Sequence, residues 1–487
     1  MKTVYATELA GDADQLAGWG IRIVMDGAER AGHAVTYVPL GDTTPRPRPD
    51  VWLVSLPYAG NAWRIRDFFE AVGESMERTA RGGRTCYILG GHAVVNTSPF
   101  LDVFDACFVG EADDAMGEII GAAPDRDRLA SVEGIDTGDA REVTFRLATD
   151  PSQRRAHYSQ GSKEGVGETV YLEVARGCRS SCTFCEIGWA YTYWQRSRED
   201  AEAHLRQIEA TYGKGRAVLS APDTDGIDWF DEIVADGTYT PRWRSTRIRP
   251  YLKSRPSRAD KGRIRFGVEG VTERLRTMIG KPMTDGDIAA ALARSQEEGY
   301  RMGRMFLIAG LPTETASDRR HAGDLLSIIR RAGFRHWKAC DVKITPLSPQ
   351  PLTPLQRFGV GPSITAAREY RRLRTAMQKS EPLWRSVMVD QHTTEADVWK
   401  RMRRGDGLAY LAARPRGDVA AEGSPDRRWE RVRAWAMTAG IDYDRDVIAD
   451  IPLDAEVPWS RVRSVRSALL AKAEAAIWRR ANERRTP

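Results

Sequence analysis

Two tracts of the chain alternate short apolar runs with polar stretches of helical period, a pattern that restricts the fold to parallel sheets joined by helical crossovers. In the first tract the strand candidates are TVYAT, HAVTYVPL, DVWLVSLP, RTCYILGG and FDACFVG. QLAGWGIRIVMDGAERAG and WRIRDFFEAVGESMERTA supply helices between them, and Gly32 offers a stop for the first. Residues 1–145 are expected to form an α/β unit with a doubly wound parallel sheet. In the second tract TVYLEVARG, RAVLSAPD, PRWRSTRIRP, RIRFGVEG, RMFLIAGL and HWKACDVKITPL alternate with helical stretches such as SREDAEAHLRQIEATYG. Six such units predict a partial or complete βα barrel over 165–350, with its chemistry at the carboxyl ends of the strands. Residues 351–487 turn to Trp- and Arg-rich helical stretches and are expected to be a helical C-terminal extension.

A chain of 487 residues exceeds one ordinary core, and a 41% hydrophobic, 29% charged composition is that of a globular protein. No apolar run approaches the roughly 18 residues of a membrane span, and the first residues lack an apolar signal core. A cytoplasmic protein without membrane contact is the expectation. The net charge of +6 is concentrated in 457–487, where eight Lys and Arg face Glu474 and Glu483. Such a segment reads either as the solvated face of a terminal helix or as a contact for a polyanion, with nucleic acid a candidate partner.

Three of the six cysteines crowd into eight positions, too few for a disulfide scaffold and well spaced for a metal. Cys178, Cys182 and Cys185 stand at i, i+4 and i+7, immediately after a strand and Gly177. Three thiolates bind three corners of a cubane and leave the fourth iron open, which lets a metal site act on a substrate. Taken alone, the cysteines also admit a zinc site completed from a distance, or three buried core thiols.

With Phe184 before the third cysteine, the segment resembles the signature of the radical S-adenosylmethionine superfamily. The resemblance implies a 4Fe-4S cluster whose open iron is chelated by the amino and carboxylate groups of S-adenosylmethionine. It also implies a 5'-deoxyadenosyl radical as the oxidant, and a reductant such as flavodoxin or ferredoxin as partner. RIRFGVEGVTERLRTMIGKPMT resembles the cosubstrate-holding strand, turn and helix of that superfamily; Glu269 would meet the ribose or the amine, and Lys281 the carboxylate. In RMFLIAGLPTET, Gly310, Leu311 and Pro312 would turn the chain beside the adenine, with Glu314 opening the next helix. Where the superfamily has Gly-Gly-Glu after its second strand, this chain has Ala221, Pro222 and Asp223, so Asp223 is the candidate acceptor of the methionyl amine, with an Asx-turn as the other reading. Ser245, Arg247 and Arg249 alternate and would share one face of a strand, to bind the cosubstrate carboxylate or an anionic substrate, or to form salt bridges across the barrel.

The run RTCYILGGHAVVNTSPFLDVFDACFVGEADD resembles the end of the cobalamin-binding domain that precedes the cluster loop in one branch of the superfamily. Its matching residues are Gly90, Gly91, His92, Asp105, Gly110 and Glu111, and the implied ligand is cobalamin. The Asp-x-His-x-x-Gly motif of a lower axial histidine is missing, as it is in many members of that branch. Only Cys86 and Cys107 lie in this domain, and Cys340 in the barrel, which does not restore the second cluster of the methylthiotransferases. KITPLSPQPLTPLQRFG and TEADVWKRMRRGDGLAYL, with Arg404, Gly405 and Asp406, resemble a bacterial subgroup of cobalamin-domain radical proteins. The implied activity is methylation of an unactivated carbon. The alternatives are a cobalamin-independent radical enzyme acting on a nucleic-acid base or polypeptide, and a cluster-containing binding protein without turnover.

Overall fold

The computed structural model describes residues 1–10, 18–139, 141–153, 157–160, 169–224, 226–234, 238–241, 246–254, 263–334, 340–390, 394–417 and 423–483. The chain separates into two compact units: Met1–Tyr158 with Gln350–Leu352 and Thr393–Leu470, and Ser159–Pro349 with Thr353–His392 and Ala471–Pro487.

The first unit is built on β1 (Thr3–Glu8), β2 (Ala34–Tyr37), β3 (Val51–Ser55), β4 (Cys86–Gly90), β5 (Ala106–Phe108) and β6 (Ile135–Asp136), in the order β2-β1-β3-β4-β5-β6. The first five are parallel, and β6 runs antiparallel to β5. Every residue of β3 is buried, as expected for a central strand covered on both faces. Val4, Val51, Leu53, Ile88 and Ile119 belong to the core beside it. The order 2-1-3-4-5 reverses between β1 and β3, and doubly wound sheets bind ligands at the carboxyl edge near such a reversal.

Residues 394–470 complete this unit. Trp399 stacks on Phe100 with ring centroids 5.5 Å apart, and Asn96 Nδ2 donates to the carbonyls of Lys400 and Met402 at 3.1 and 2.8 Å. The short β7 (Val143–Thr144) pairs in parallel with β18 (Val462–Arg463). The extension expected over 351–487 is therefore divided, because the helix Gly361–Met377 and strand β17 (Val387–Val389) fall in the second unit. Periodicity marks an apolar face but not which of two sheets covers it. The Arg404-Gly405-Asp406 stretch serves local structure: Asp406 Oδ2 accepts from the Arg403 amide at 2.7 Å, and Arg404 Nε meets Asp102 at 3.1 Å.

In the second unit one sheet has the order β13-β12-β9-β8, from β8 (His157–Gln160), β9 (Thr169–Glu173), β12 (Ala217–Ser220) and β13 (Thr240–Pro241). A second has the order β14-β15-β16-β17, with β14 (Arg263–Glu269), β15 (Met302–Ala309) and β16 (Cys340–Pro346), all parallel. Among the described residues an isolated parallel bridge pairs Thr246 with Phe266. The architecture is α/β with parallel sheets, and a closed barrel is not formed among the described residues. Along β15 and β16 alternate residues, Met305, Leu307, Val342 and Ile344, enter the core, leaving Arg304, Asp341 and Lys343 on the opposite face.

PRWRSTRIRP departs from expectation at its end: Thr240–Pro241 is strand, residues 242–245 lie outside the described residues, and a helix over Ile248–Lys253 starts shortly after the Thr246 bridge. Pro250 sits in the first turn of that helix, where a missing N–H costs nothing. Arg247 is the N-cap and Arg249 lies inside the helix, so the two do not form a row on a strand. Ser245 lies outside the described residues.

Candidate functional site

The three-cysteine loop leaves the sheet at β9 and is closed at its base by a two-stranded antiparallel ribbon, β10 (Ala175–Arg176) with β11 (Trp194–Gln195). Inside the loop the backbone is tied down at several points. Cys185 N donates to Cys182 O at 3.2 Å, Trp189 Nε1 to the same carbonyl at 3.0 Å, and Thr183 N to Ile279 O at 3.0 Å. Leu355 N donates to Thr183 O at 3.3 Å, bringing in the segment after β16. Three thiols are thus carried by a rigid loop rather than a mobile one, as a site that must hold geometry needs.

All three cysteines are free and partly buried. Burial pushes Cys178 up to about 12 and Cys185 to about 11, and also raises Cys182, so each resists ionisation while nothing cationic binds it. The Ser180 amide approaches Cys178 Sγ at 3.3 Å, and the amides of Ile187 and Gly188 donate to Cys185; these act in the opposite sense and favour thiolates. Among the described residues no three His, Cys, Asp or Glu side chains are grouped to hold a metal ion. A mononuclear zinc site needs its donors to converge on one point, whereas a cubane gives each thiolate its own iron. Three thiols on one loop are a donor set that suits an iron–sulfur cubane.

Four of the residues expected to hold cosubstrate gather around these thiols. Asp223, buried at the end of β12, lies 3.3 Å from Cys178 Sγ and accepts from the thiol, and Arg247 Nη2 is 3.7 Å from the same carboxylate. Glu269 ends β14, and its Oε1 accepts from Lys281 Nζ at 3.0 Å; both side chains are almost buried. Lys281, Glu269, Arg247 and Asp223 all act electrostatically on Cys182. Glu269 has φ 66°, and the ladder to β15 shifts register between Gly267 and Glu269. A non-glycine residue in that region stores roughly 1–3 kcal/mol of strain, which persists where the position of the side chain matters.

Other candidates are structural ties. Gly310 has φ 80°, and a Cβ there would lie 2.5 Å from Ser363 N, so the turn is glycine because a helix presses on it. Pro312 follows in that turn and is buried. Glu314 Oε2 accepts from the amides of Gly310 and Leu311 at 2.6 and 3.1 Å, and burial raises its pKa.

In the first unit Gly90, Gly91 and His92 reach the carboxyl edge of β4, with Gly91 and His92 exposed. Gly91 has φ 111° and a Cβ on it would fall 2.6 Å from Leu56 O, so packing against the β3 end already demands glycine. Asp105 accepts from the Tyr87 amide at 2.8 Å and Glu111 from the Ala148 amide at 2.8 Å, both within the unit. The basic C-terminal segment is partly neutralised: Arg461 lies 3.3 Å from Asp136 and Arg463 3.1 Å from Glu142.

Two contributors escaped sequence reasoning. Gly188 packs its Cα against the Ser180 carbonyl so closely that a Cβ could not be accommodated, and Trp189 ties the loop through Cys182 O. The adjacency of both to Cys185, in Cys-Glu-Ile-Gly-Trp, was the available signal.

The fold is similar to that of solved radical S-adenosylmethionine enzymes that bind cobalamin. The chain is similar over the full length of both chains to the radical S-adenosylmethionine methyltransferase TsrM from Kitasatospora setae. With tryptophan substrate and a SAM analog bound, that structure gives a TM-score of 0.54 at 13% identity, and with cobalamin and a [4Fe-4S] cluster bound 0.51 at 14%. The cobalamin-dependent radical enzyme OxsB, with aqua-cobalamin bound, gives 0.50 at 13% identity, over 90% of this chain and 72% of that one. At such identities the likeness is one of fold. An uncharacterized protein of Methanocaldococcus jannaschii is 24% identical over 303 residues, 59% of this chain; the match spans 65% of the length of that relative. No family model matches the chain. No described helix is long and apolar enough to cross a membrane.

Proposed function

We propose that this chain is a radical S-adenosylmethionine enzyme, with Cys178, Cys182 and Cys185 holding a 4Fe-4S cluster, and that it methylates an unactivated carbon with the help of cobalamin in the first unit. The observation that carries the reading is the ring of Asp223, Arg247, Glu269 and Lys281 around three thiols of one tied loop. When bound, the cluster supplies the electron that cleaves S-adenosylmethionine to a 5'-deoxyadenosyl radical, and cobalamin supplies a methyl carrier.

The residues of the chain have separate tasks in this reading. As an iron-bound thiolate Cys178 would no longer donate to Asp223, whose buried carboxylate would be left to accept from the methionyl amine. Arg247 and Lys281 provide cations for the methionyl carboxylate, and Glu269 accepts from the ribose or the amine. The buried Trp189 and Thr183 close the loop beneath and keep water from the reacting centre. In the first unit, the exposed backbone at Gly91 and the side chain of His92 stand at the sheet edge where a flat ligand lies against a doubly wound fold. The likeness to TsrM and OxsB supports the choice of cobalamin, and the likeness to TsrM that of methyl transfer.

Anaerobic reconstitution followed by reduction tests the reading: 5'-deoxyadenosine or a methylated product should appear with S-adenosylmethionine present, and cobalamin should co-purify. A reconstituted cluster that leaves S-adenosylmethionine intact would overturn it. Exchange of Glu269→Gln keeps the shape and removes the charge facing Lys281. Affinity for S-adenosylmethionine is expected to fall about 10–100-fold by equilibrium dialysis, the range set by loss of a charge-assisted hydrogen bond.

A further inference from the structure

Arg276 is wholly buried in the second unit, on the short helix Glu273–Met278 that lies in the chain between Glu269 and Lys281. A cation taken out of water is costly unless acceptors replace the hydrogen bonds it gives up. Here Nη1 donates to Gly270 O at 3.2 Å and to Val271 O at 3.4 Å, Nε to Met283 O at 2.9 Å, and Nη2 to Asp285 Oδ1. Asp285 is itself fixed on its other side, with Oδ2 3.0 Å from His321 Nε2, and its amide donates to Glu273 Oε1 at 3.0 Å.

These acceptors fall in two places, just after Glu269 and just after Lys281. Gly270 and Val271 follow Glu269, whose φ of 66° persists only where its surroundings over-determine it. Gly270 is pressed against the helix, since a Cβ there would fall 2.8 Å from Arg276 N. On the other side the Lys281 amide donates to Arg276 O at 2.9 Å, and the side chain holds the same turn again at Met283 and Asp285. Main chain and side chain of one residue thus fasten both ends of the Glu269–Lys281 ion pair. The apolar anchor of this segment is supplied by Leu275 and Ile279, both fully buried in the core. A buried charge adds little stability over an apolar side chain, whereas a rigid fork that reaches four acceptors fixes geometry.

We infer that Arg276 is a positioning residue for S-adenosylmethionine, holding Glu269 and Lys281 at the separation at which both reach one bound cosubstrate. The role toward the cosubstrate rests on the reading proposed above; the fastening of the pair does not.

Arg276→Lys tests this, because it keeps the positive charge beside Asp285 while a single ammonium cannot span all four acceptors. In the cluster-reconstituted full chain, affinity for S-adenosylmethionine by equilibrium dialysis should fall about tenfold, with iron content and circular dichroism unchanged. In the Glu269→Gln background the same exchange should cost less than about twofold, since its effect passes through Glu269. Acetylation of Lys281 by acetic anhydride without cosubstrate, read residue by residue by peptide mass spectrometry, should become about tenfold faster as the pair loosens. Asp285→Asn, at a partly buried position, should move affinity and labelling in the same direction by a smaller factor. Unchanged affinity and labelling, or a loss that multiplies in full with that of Glu269→Gln, would overturn the inference. So would loss of the folded spectrum in both variants, by making Arg276 a support of the whole unit. Faster labelling in a chain that binds no S-adenosylmethionine would overturn the cosubstrate assignment and support the fastening of the pair, so the two failures are read separately.

Discussion

A Cys182→Ala variant is expected to fold, to lose the visible absorbance of a reconstituted cluster, and to release no 5'-deoxyadenosine above the level without protein. The expectation follows from what the position does. In the proposed reading its thiol is one of three donors, and two thiolates would leave two irons of a cubane without protein ligands. Its backbone carbonyl, by contrast, accepts from Trp189 Nε1 and the Cys185 amide, and alanine keeps both bonds. Loss of chemistry and retention of fold are thus separable at one residue. The measurements are iron content, visible absorbance and circular dichroism on the same preparation. A variant that keeps full cluster absorbance would refute the ligand assignment.

The second large effect is expected from Gly188→Ala, which touches no ligand atom. An added Cβ would collide with the Ser180 carbonyl oxygen and lie 3.2 Å from the Ser180 carbonyl carbon. Both are backbone atoms between Cys178 and Cys182, so a rotamer change cannot relieve the clash. The loop must move or the short helix Ile187–Ala190 must, and the amides of Ile187 and Gly188 that point at Cys185 move with it. Groups that orient a metal ligand change affinity by about 10–100-fold when disturbed, and retention of iron against a chelator should fall by that factor. The sheet core lies elsewhere, so the thermal transition should move little. Iron retention equal to that of the unaltered protein would show that the loop tolerates the displacement.

Much of the scaffold was legible because it depends on local pattern. β3 reads as a continuous apolar run and is buried throughout, and β1, β4, β14, β15 and β16 form within or beside the segments whose composition marked them. The end of PRWRSTRIRP was not legible as it folds. Its alternation is compatible with a strand, but Pro250 also fits a first helical turn, and the structure realises a helix over Ile248–Lys253. The extension was legible as helix but not in its allegiance. Trp399 finds Phe100 in the first unit, while Tyr370 in the helix Gly361–Met377 finds Glu314 in the second, at 3.2 Å.

The sequence by itself determined a candidate metal-binding loop, since three cysteines at i, i+4 and i+7 are a local feature that does not depend on the rest of the chain. It also determined two sheet-forming tracts, through periodicities that need only a few neighbouring residues. Sequence resemblance nominated Asp223, Arg247, Glu269 and Lys281, but only the tertiary structure decided that their charges attend the thiols, because they come from three separate segments of the chain. It also decided that Gly188 admits no side chain. The physical reason is common to both: steric exclusion and charge proximity are properties of distance in space, which spacing along the chain does not fix.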